Sequence, residues 1–87
     1  MMISKEEIIT KICNLEESIR ILGYIRSQDK YIINEQILEF KDLIICIDDK
    51  DITFYSDIDF YDLDKIDITI NMLNDYLKDY LEELEGF

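Results

Sequence analysis

The chain has 87 residues, of which 48% are hydrophobic and 11% aromatic, and its formal net charge at pH 7 is −12. A chain of this length forms one domain with a small core, and its apolar content excludes a disordered acidic tail. We therefore expect a single compact domain over residues 1–87. The charge disfavours direct binding to nucleic acid or to an anionic membrane, because both need a basic protein surface.

The negative charge is concentrated in the second half of the chain. Residues 1–41 carry seven acids and six bases, whereas residues 42–87 carry fourteen acids and three bases. Acidity that served only to keep the protein soluble would need no such asymmetry. The distribution favours a functional acidic surface built from the second half.

The first predicted element is a helix that begins at a capping box formed by Ser4 and Glu7. Apolar residues then recur every three or four positions, and Gly23 supplies a predicted stop. This stripe consists of Ile8, Ile12, Leu15, Ile19 and Leu22. Glu16 and Arg20 form an i, i+4 pair of opposite charge, which is typical of a solvated outer face. We interpret this helix as scaffold.

Residues 24–41 give a mixed signal. The segments 24–25, 31–33 and 36–40 are rich in isoleucine and aromatic residues and resemble short strands. The range 29–40 also fits a short helix with Ile33 and Ile37 on its inner side. We favour strands here.

Two apolar runs rich in β-branched residues follow, at 43–47 and 52–55, separated by the polar tetrapeptide 48–51. This pattern predicts a β-hairpin over about residues 43–55. The predicted fold class is therefore α+β, with an N-terminal helix, a small antiparallel sheet of two or three strands and a long C-terminal helix.

The stretch from 57 to 85 contains the C-terminal helix, which an aspartate or Ser56 is expected to cap. Its inner stripe consists of Leu63, Ile66, Ile70, Leu73, Leu77, Leu81 and Leu84. Acidic side chains gather on the opposite side of the helical wheel. A second apolar ridge of Ile68, Met72 and Tyr76 runs beside these acids, where the first stripe cannot bury it.

Acids in the first turn of a helix are stabilised by its dipole, but acids near the C-terminal end are not. Asp75, Asp79 and Glu82 lie in the second half of the predicted helix. Their placement therefore indicates a role other than helix stability.

Catalysis and metal binding are poorly supported by the sequence. The chain has no histidine to serve as a general base and no glycine-rich phosphate loop. EF-hand frames that begin at Asp49 or Asp57 lack the required glycine and final glutamate. Cys13 and Cys46 lack metal-binding spacing and are predicted to be buried free thiols. We expect a protein that is not an enzyme and has no cofactor or metal.

The spacing of the acids suggests mimicry of a nucleic acid. Side chains lie about 5.4 Å apart on successive helical turns and about 7 Å apart along a strand. Both spacings are comparable to the distance between neighbouring phosphates on a nucleic-acid strand. Such a surface can occupy the basic groove of a nucleic-acid-binding protein, and tyrosines can stack on its arginines. The predicted partner-binding residues are Asp48, Asp49, Asp51, Asp57, Asp59, Tyr61, Asp64, Asp67, Ile68, Met72, Asp75, Tyr76, Asp79 and Glu82.

In size, charge asymmetry and its face of acids with tyrosines, the chain resembles the small acidic inhibitors of phages and mobile elements, including anti-CRISPR proteins and other DNA mimics. The resemblance implies an inhibitor that blocks a nucleic-acid-binding surface on a Cas effector or a nuclease, in the cytoplasm of the host cell.

Two alternatives stay open. The chain is also compatible with an immunity protein or antitoxin that neutralises a basic nuclease toxin. The third candidate is a homo-oligomeric module paired through the ridge of Ile68, Met72 and Tyr76, although repulsion between two chains of −12 favours a monomer. The start of the sequence has no apolar signal region, and we expect a soluble cytoplasmic protein.

Overall fold

The computed structural model describes residues 3–28 and 34–87, and within these ranges it is all-α, without a strand. The predicted α+β class, with its antiparallel sheet, is therefore wrong. The elements are α1 (Lys5–Ser27), α2 (Asn34–Cys46), α3 (Lys50–Thr53), a 3-10 turn (Phe54–Asp57) and α4 (Leu63–Glu85).

The runs predicted as strands are helical because their apolar residues also fit a helical period. Phe40, Ile44 and Ile47 follow one another at steps of four and three, and all three are fully buried. Isoleucine is only slightly less favourable than alanine in a helix, so burying one face of α2 outweighs its preference for strands. The second run, at 52–55, is divided between α3 and the 3-10 turn.

The polar segment expected to turn a hairpin instead joins two helices. Asp48 has a φ of 55°, the left-handed conformation that commonly follows the end of a helix. Asp49 is the N-cap of α3, with its carboxylate accepting hydrogen bonds from the backbone N–H groups of Asp51 and Ile52. One aspartate therefore ends α2 and the next begins α3.

The first helix is longer than predicted. It begins at the expected cap, where the Ser4 hydroxyl accepts from the backbone N–H of Glu7 at 3.1 Å. It then continues through Gly23 to Ser27, since Ile25 is buried against the core. The strand-like segment predicted at 24–25 is therefore part of α1, and the strand predicted at 31–33 lies outside the described residues.

The central helix is α1, which packs against α4 on one side and against α2 on the other. Arg26 near the end of α1 meets Asp67 near the start of α4, so these two helices are antiparallel. The ammonium of Lys11 donates to the backbone carbonyl of Ile47, just beyond α2, so α1 and α2 are antiparallel too. The short α3 and the 3-10 turn pack on α2.

The core follows the predicted stripes of both long helices. In α1 the stripe is buried except for the half-buried Ile19, and Ile21 and Ile25 join it. In α4, Ile66 and Leu73 are fully buried, while Leu81 is 42% exposed. None of the described helices combines the length and the apolar character needed to cross a membrane.

Candidate protein-binding surface

The predicted acidic side chains of α4 are exposed except for the half-buried Asp67, and they are unevenly spaced along the helix. Asp64 lies in the first turn, and the next outward carboxylate, Asp75, follows about 16 Å further along the axis. The last three turns are dense with acids, and we call this group the acidic end of α4. It consists of Asp75, Asp79, Glu82, Glu83 and Glu85, all of them exposed.

The acidic end is placed against the electrostatics of its own helix. The last turn of α4 contains no basic residue, although the partial negative charge of a helix C-terminus favours one. Asp75, Asp79 and Glu83 also follow one another at i, i+4 and i+8, so like charges repel along one line. The acidic end thus lowers the stability of α4.

The outer face of α4 changes from apolar to acidic along its length. Ile68 is 59% exposed and Met72 is 38% exposed, one and two turns after Asp64. Tyr76, the third member of the predicted ridge, is half-buried against Tyr55, with ring centroids 6.4 Å apart. The face therefore presents Ile68 and Met72 after Asp64, and it is negative from Asp75 onward.

The structure brings the acids that follow α2 beside α4. The hydroxyl of Tyr80 donates a hydrogen bond of 2.8 Å to Oδ2 of Asp49. Oδ1 of Asp49 accepts from the backbone N–H of Asp51 at 3.0 Å. Both oxygens of Asp49 are thus used within the protein, whereas Asp48 and Asp51 are exposed. Of these three predicted contacts, Asp49 has a structural role.

Burial, together with nearby carboxylates, raises the pKa values of Tyr76 and Tyr80. Burial first, then the hydrogen bond to Asp49 and the charges of Asp49 and Glu83, raise the pKa of Tyr80 well above its ordinary value of 10.0. Burial first, then Tyr55 and the charges of Asp51 and Asp49, raise the pKa of Tyr76. Both hydroxyls therefore stay protonated at neutral pH and can donate to carboxylates.

The predicted site residues near the start of α4 are partly used in local structure. Oδ1 of Asp59 accepts from the backbone N–H of Tyr61 at 3.0 Å, which fixes the turn before α4. Oδ1 of Asp67 accepts from Nε of Arg26 at 2.9 Å, on the α1 side of the helix. Asp57 is exposed and lies 4.0 Å from the ammonium of Lys41, while Tyr61 is 77% exposed.

A groove of about 730 Å³ separates the start of α4 from α3 and the 3-10 turn. We call it the apolar groove; it is lined by Lys50, Thr53, Phe54, Tyr55, Ser56, Asp57, Ile58, Asp59, Lys65, Ile68 and Thr69. Phe54 is 76% exposed and packs edge-on against Tyr55, with ring centroids 5.5 Å apart. Tyr55 in turn contacts Tyr76, so aromatic rings connect the groove to the acidic end.

Sequence reasoning missed Phe54 as a surface residue, because it placed Phe54 in a strand of the predicted sheet. The signal that could have located the groove was Ile68, whose position on the wheel already required an exposed apolar group on α4.

Both cysteines are free and exposed, so the prediction that Cys13 and Cys46 are buried is wrong. Within residues 3–28 and 34–87, no three carboxylate or thiol side chains converge on a possible metal position.

Comparison with protein-family models, with curated proteins and with solved structures finds no match. The surfaces described above are therefore interpreted from their own chemistry.

Proposed function

We propose that the protein is a non-enzymatic acidic inhibitor, which binds a basic nucleic-acid-binding surface of a partner enzyme by mimicking the charge of DNA or RNA. The observation that carries this proposal is the acidic end of α4. Five exposed carboxylates stand within about 15 Å of helix, where the dipole and their mutual repulsion both oppose them. A surface that lowers stability in this way is explained by a partner that neutralises it.

The partner's chemistry follows from the density of this charge. Asp75 and Asp79 are one helical turn apart, about 6 Å along the axis, which is comparable to the separation of phosphates on one strand. A protein that binds nucleic acid presents lysines and arginines at that spacing and gains affinity by releasing counterions. The same basic groove would be attracted to the acidic end, with fast, electrostatically steered association.

The neighbouring groups add to this attraction. Asp49 accepts a hydrogen bond from Tyr80 of α4, and its neighbours Asp48 and Asp51 are exposed, so the acids of the α2–α3 connection extend the acidic end sideways. Tyr61, which is 77% exposed at the other end of α4, offers a ring face on which an arginine can stack. The proposed contacts are therefore centred on Asp75, Asp79 and Asp51.

The test is affinity capture from a lysate of the host cell at low salt, with three baits. The first is the wild-type protein and the second is the double variant Asp75→Lys/Asp79→Lys. The third is Glu16→Lys/Glu39→Lys, which makes the same change of net charge at exposed positions on α1 and α2. Bound proteins are eluted along a salt gradient and, separately, with DNA or RNA.

We expect the wild type and the control variant to capture the same nucleic-acid enzyme, which leaves at moderate salt and is displaced by nucleic acid. The variant Asp75→Lys/Asp79→Lys should capture none of it. A partner that ignores both salt and nucleic acid, or one that binds all three baits equally, would contradict the proposal. A captured toxin encoded beside this chain would instead identify an immunity protein.

A further inference from the structure

The apolar groove exposes large side chains that the fold leaves uncovered. Phe54 is 76% exposed on one wall and Ile68 is 59% exposed on the other. Each square ångström of apolar surface removed from water contributes about 25 cal/mol, so covering these two side chains would stabilise a complex appreciably. Other apolar side chains of the protein are exposed singly, but Phe54 and Ile68 line one groove, and a contiguous apolar patch favours a binding site.

The groove and the acidic end lie on one side of α4. Ile68, Met72, Asp75 and Asp79 follow one another at steps of four, three and four residues, which places them on one stripe of the helix. The distance along the axis is about 10 Å from Ile68 to Asp75 and about 16 Å from Ile68 to Asp79. A segment that lies along this stripe meets Ile68 first and carboxylates two to three turns later.

The charges beside the groove itself are balanced. Lys50 and Lys65 line it together with Asp57 and Asp59. The groove itself therefore favours neither sign of charge, whereas the acidic end beside it favours a positive one.

We propose that the apolar groove receives the apolar anchor of an amphipathic helix on the partner protein, whose following turns carry arginine or lysine. This inference rests on the proposed function and names the form in which the partner presents its basic groups. A helix with apolar residues at i, i+3, i+4 and i+7 fits a groove between helices, and its basic turns then face Asp75 and Asp79. Binding has an apolar component, which salt does not screen, and an ionic component, which salt weakens.

A second copy of this chain is a poor occupant. Two copies that met through this stripe would bring their acidic ends together, and each carries a net charge of −12. A basic segment removes that repulsion, because it neutralises the carboxylates that follow the groove.

The probe is a pair of labelled peptides of about 18 residues with identical composition. In the ordered peptide, the first two turns carry leucine and phenylalanine at helical spacing and the last two carry arginine. In the scrambled peptide, the same residues have no helical stripe. Affinities are measured by fluorescence anisotropy at low and physiological salt, and binding is mapped by amide chemical shifts of the labelled protein.

Four proteins are compared: the wild type, Ile68→Gln, the control Leu38→Gln and Asp75→Lys/Asp79→Lys. Leu38 is 61% exposed on α2, so its variant removes an equally exposed apolar side chain away from the groove. Glutamine favours helices, which keeps both substitutions compatible with the fold.

We expect the wild type and Leu38→Gln to bind the ordered peptide at least tenfold more tightly than the scrambled one at physiological salt. Ile68→Gln should lose that tenfold preference, and Asp75→Lys/Asp79→Lys should weaken both peptides at low salt. Shifts should cluster at residues 53–59 and 65–72 as well as at the acidic end.

The inference is overturned if the wild type binds both peptides equally, or if Ile68→Gln and Leu38→Gln behave alike. In that case, retained binding of the scrambled peptide that depends on Asp75 and Asp79 would leave the proposed function standing. The inference is also overturned if the free protein self-associates and Ile68→Gln abolishes this self-association. That result would assign the groove to a second copy of the chain.

Discussion

The two longest helices, α1 and α4, have the same length of 23 residues and pack against each other, yet their charges differ sharply. Between Lys5 and Ser27 there are four acids and four bases. Between Leu63 and Glu85 there are seven acids and two bases. The two helices therefore share their length and their mutual contact, and they differ in the charge of their outer faces.

The neutral helix α1 is also more deeply buried than the acidic helix α4. α1 has seven buried residues and packs on both neighbours, whereas α4 has three. The outer side of α1 contains a local ion pair between Arg20 and Glu17, while that of α4 contains exposed Ile68 and five exposed carboxylates with one lysine, Lys78, among them. The comparison teaches that α1 serves mainly as the centre of the fold, whereas the charge pattern of α4 is one that folding does not explain.

The same substitution made in both helices should have very different effects on stability. Leu15→Ala in α1 removes a fully buried side chain and should lower the free energy of unfolding by about 3 kcal/mol. Leu81→Ala in α4 removes a side chain that is 42% exposed and should cost less than about 1 kcal/mol. Urea denaturation followed by circular dichroism measures both. Equal losses would break the distinction between scaffold and surface.

The acids of the α2–α3 connection also divide into one that supports the fold and one that lies at the surface. Asp49→Ala removes the cap of α3 and the acceptor of the Tyr80 hydroxyl, so it should cost about 2 to 3 kcal/mol of stability. Its neighbour Asp51 is exposed, and Asp51→Ala should change stability by less than about 0.5 kcal/mol. Thermal unfolding of the two variants side by side tests this assignment. Similar melting temperatures would refute it.

Alkaline pH should weaken the contact between α4 and α3. The pKa of Tyr80 is raised in the folded protein, so above its unfolded value of 10.0 the unfolded chain loses the proton first and stability falls as pH rises. Tyr80→Phe should cost about 1 to 2 kcal/mol at neutral pH through the lost hydrogen bond to Asp49.

Because the wild type loses this stabilisation as pH rises, the difference in unfolding free energy between it and Tyr80→Phe should narrow above about pH 10. Denaturation at pH 7, 9 and 10.5 measures the difference. A constant difference across this range would show that the hydroxyl does not titrate as described.

The smallest expected effect concerns the one glycine within α1. Gly23 is exposed in the helix, and nothing lies within 4 Å of an added Cβ. Gly23→Ala should raise the free energy of unfolding by about 0.5 to 1 kcal/mol, because alanine loses less backbone entropy in a helix. Denaturant titration checks the gain. A loss of stability would mean that α1 is less regular at this point than the structure has it.

The sequence predicted the two long amphipathic helices but not what lies between them. The stripes of α1 and α4 are long enough for their period to be unambiguous, and the caps at Ser4 and Asp62 are local signals. The isoleucines of α2 fit both a strand and a helix, since Phe40, Ile44 and Ile47 become a helical stripe only once α1 covers them. Such a tertiary preference is not visible in a short run.

Only part of the candidate site could be predicted from the sequence, for the same reason. Exposure of Asp75 and Asp79 follows from the period of α4 alone. The internal use of Asp49 does not, because its partner Tyr80 is 31 residues away in the chain. The apolar groove could not be predicted either, since Phe54 and Ile68 line one groove only when the 3-10 turn lies beside α4.

The central claim is that the carboxylates of α4 are placed for a partner and against the stability of the fold. It is tested most directly by urea denaturation, at low salt, of the wild type, Asp75→Lys/Asp79→Lys and the control Glu16→Lys/Glu39→Lys. The first variant places positive charge near the C-terminal end of α4 and turns the repulsion between Asp79 and Glu83 into attraction.

Both variants relieve the same net charge, so their difference in stability reports only where the charges lie. We predict that the free energy of unfolding of Asp75→Lys/Asp79→Lys is about 1 kcal/mol above that of the control. The gain should shrink as salt is added. If the variant is instead less stable than the wild type, these carboxylates support the fold, and their placement no longer indicates a binding surface.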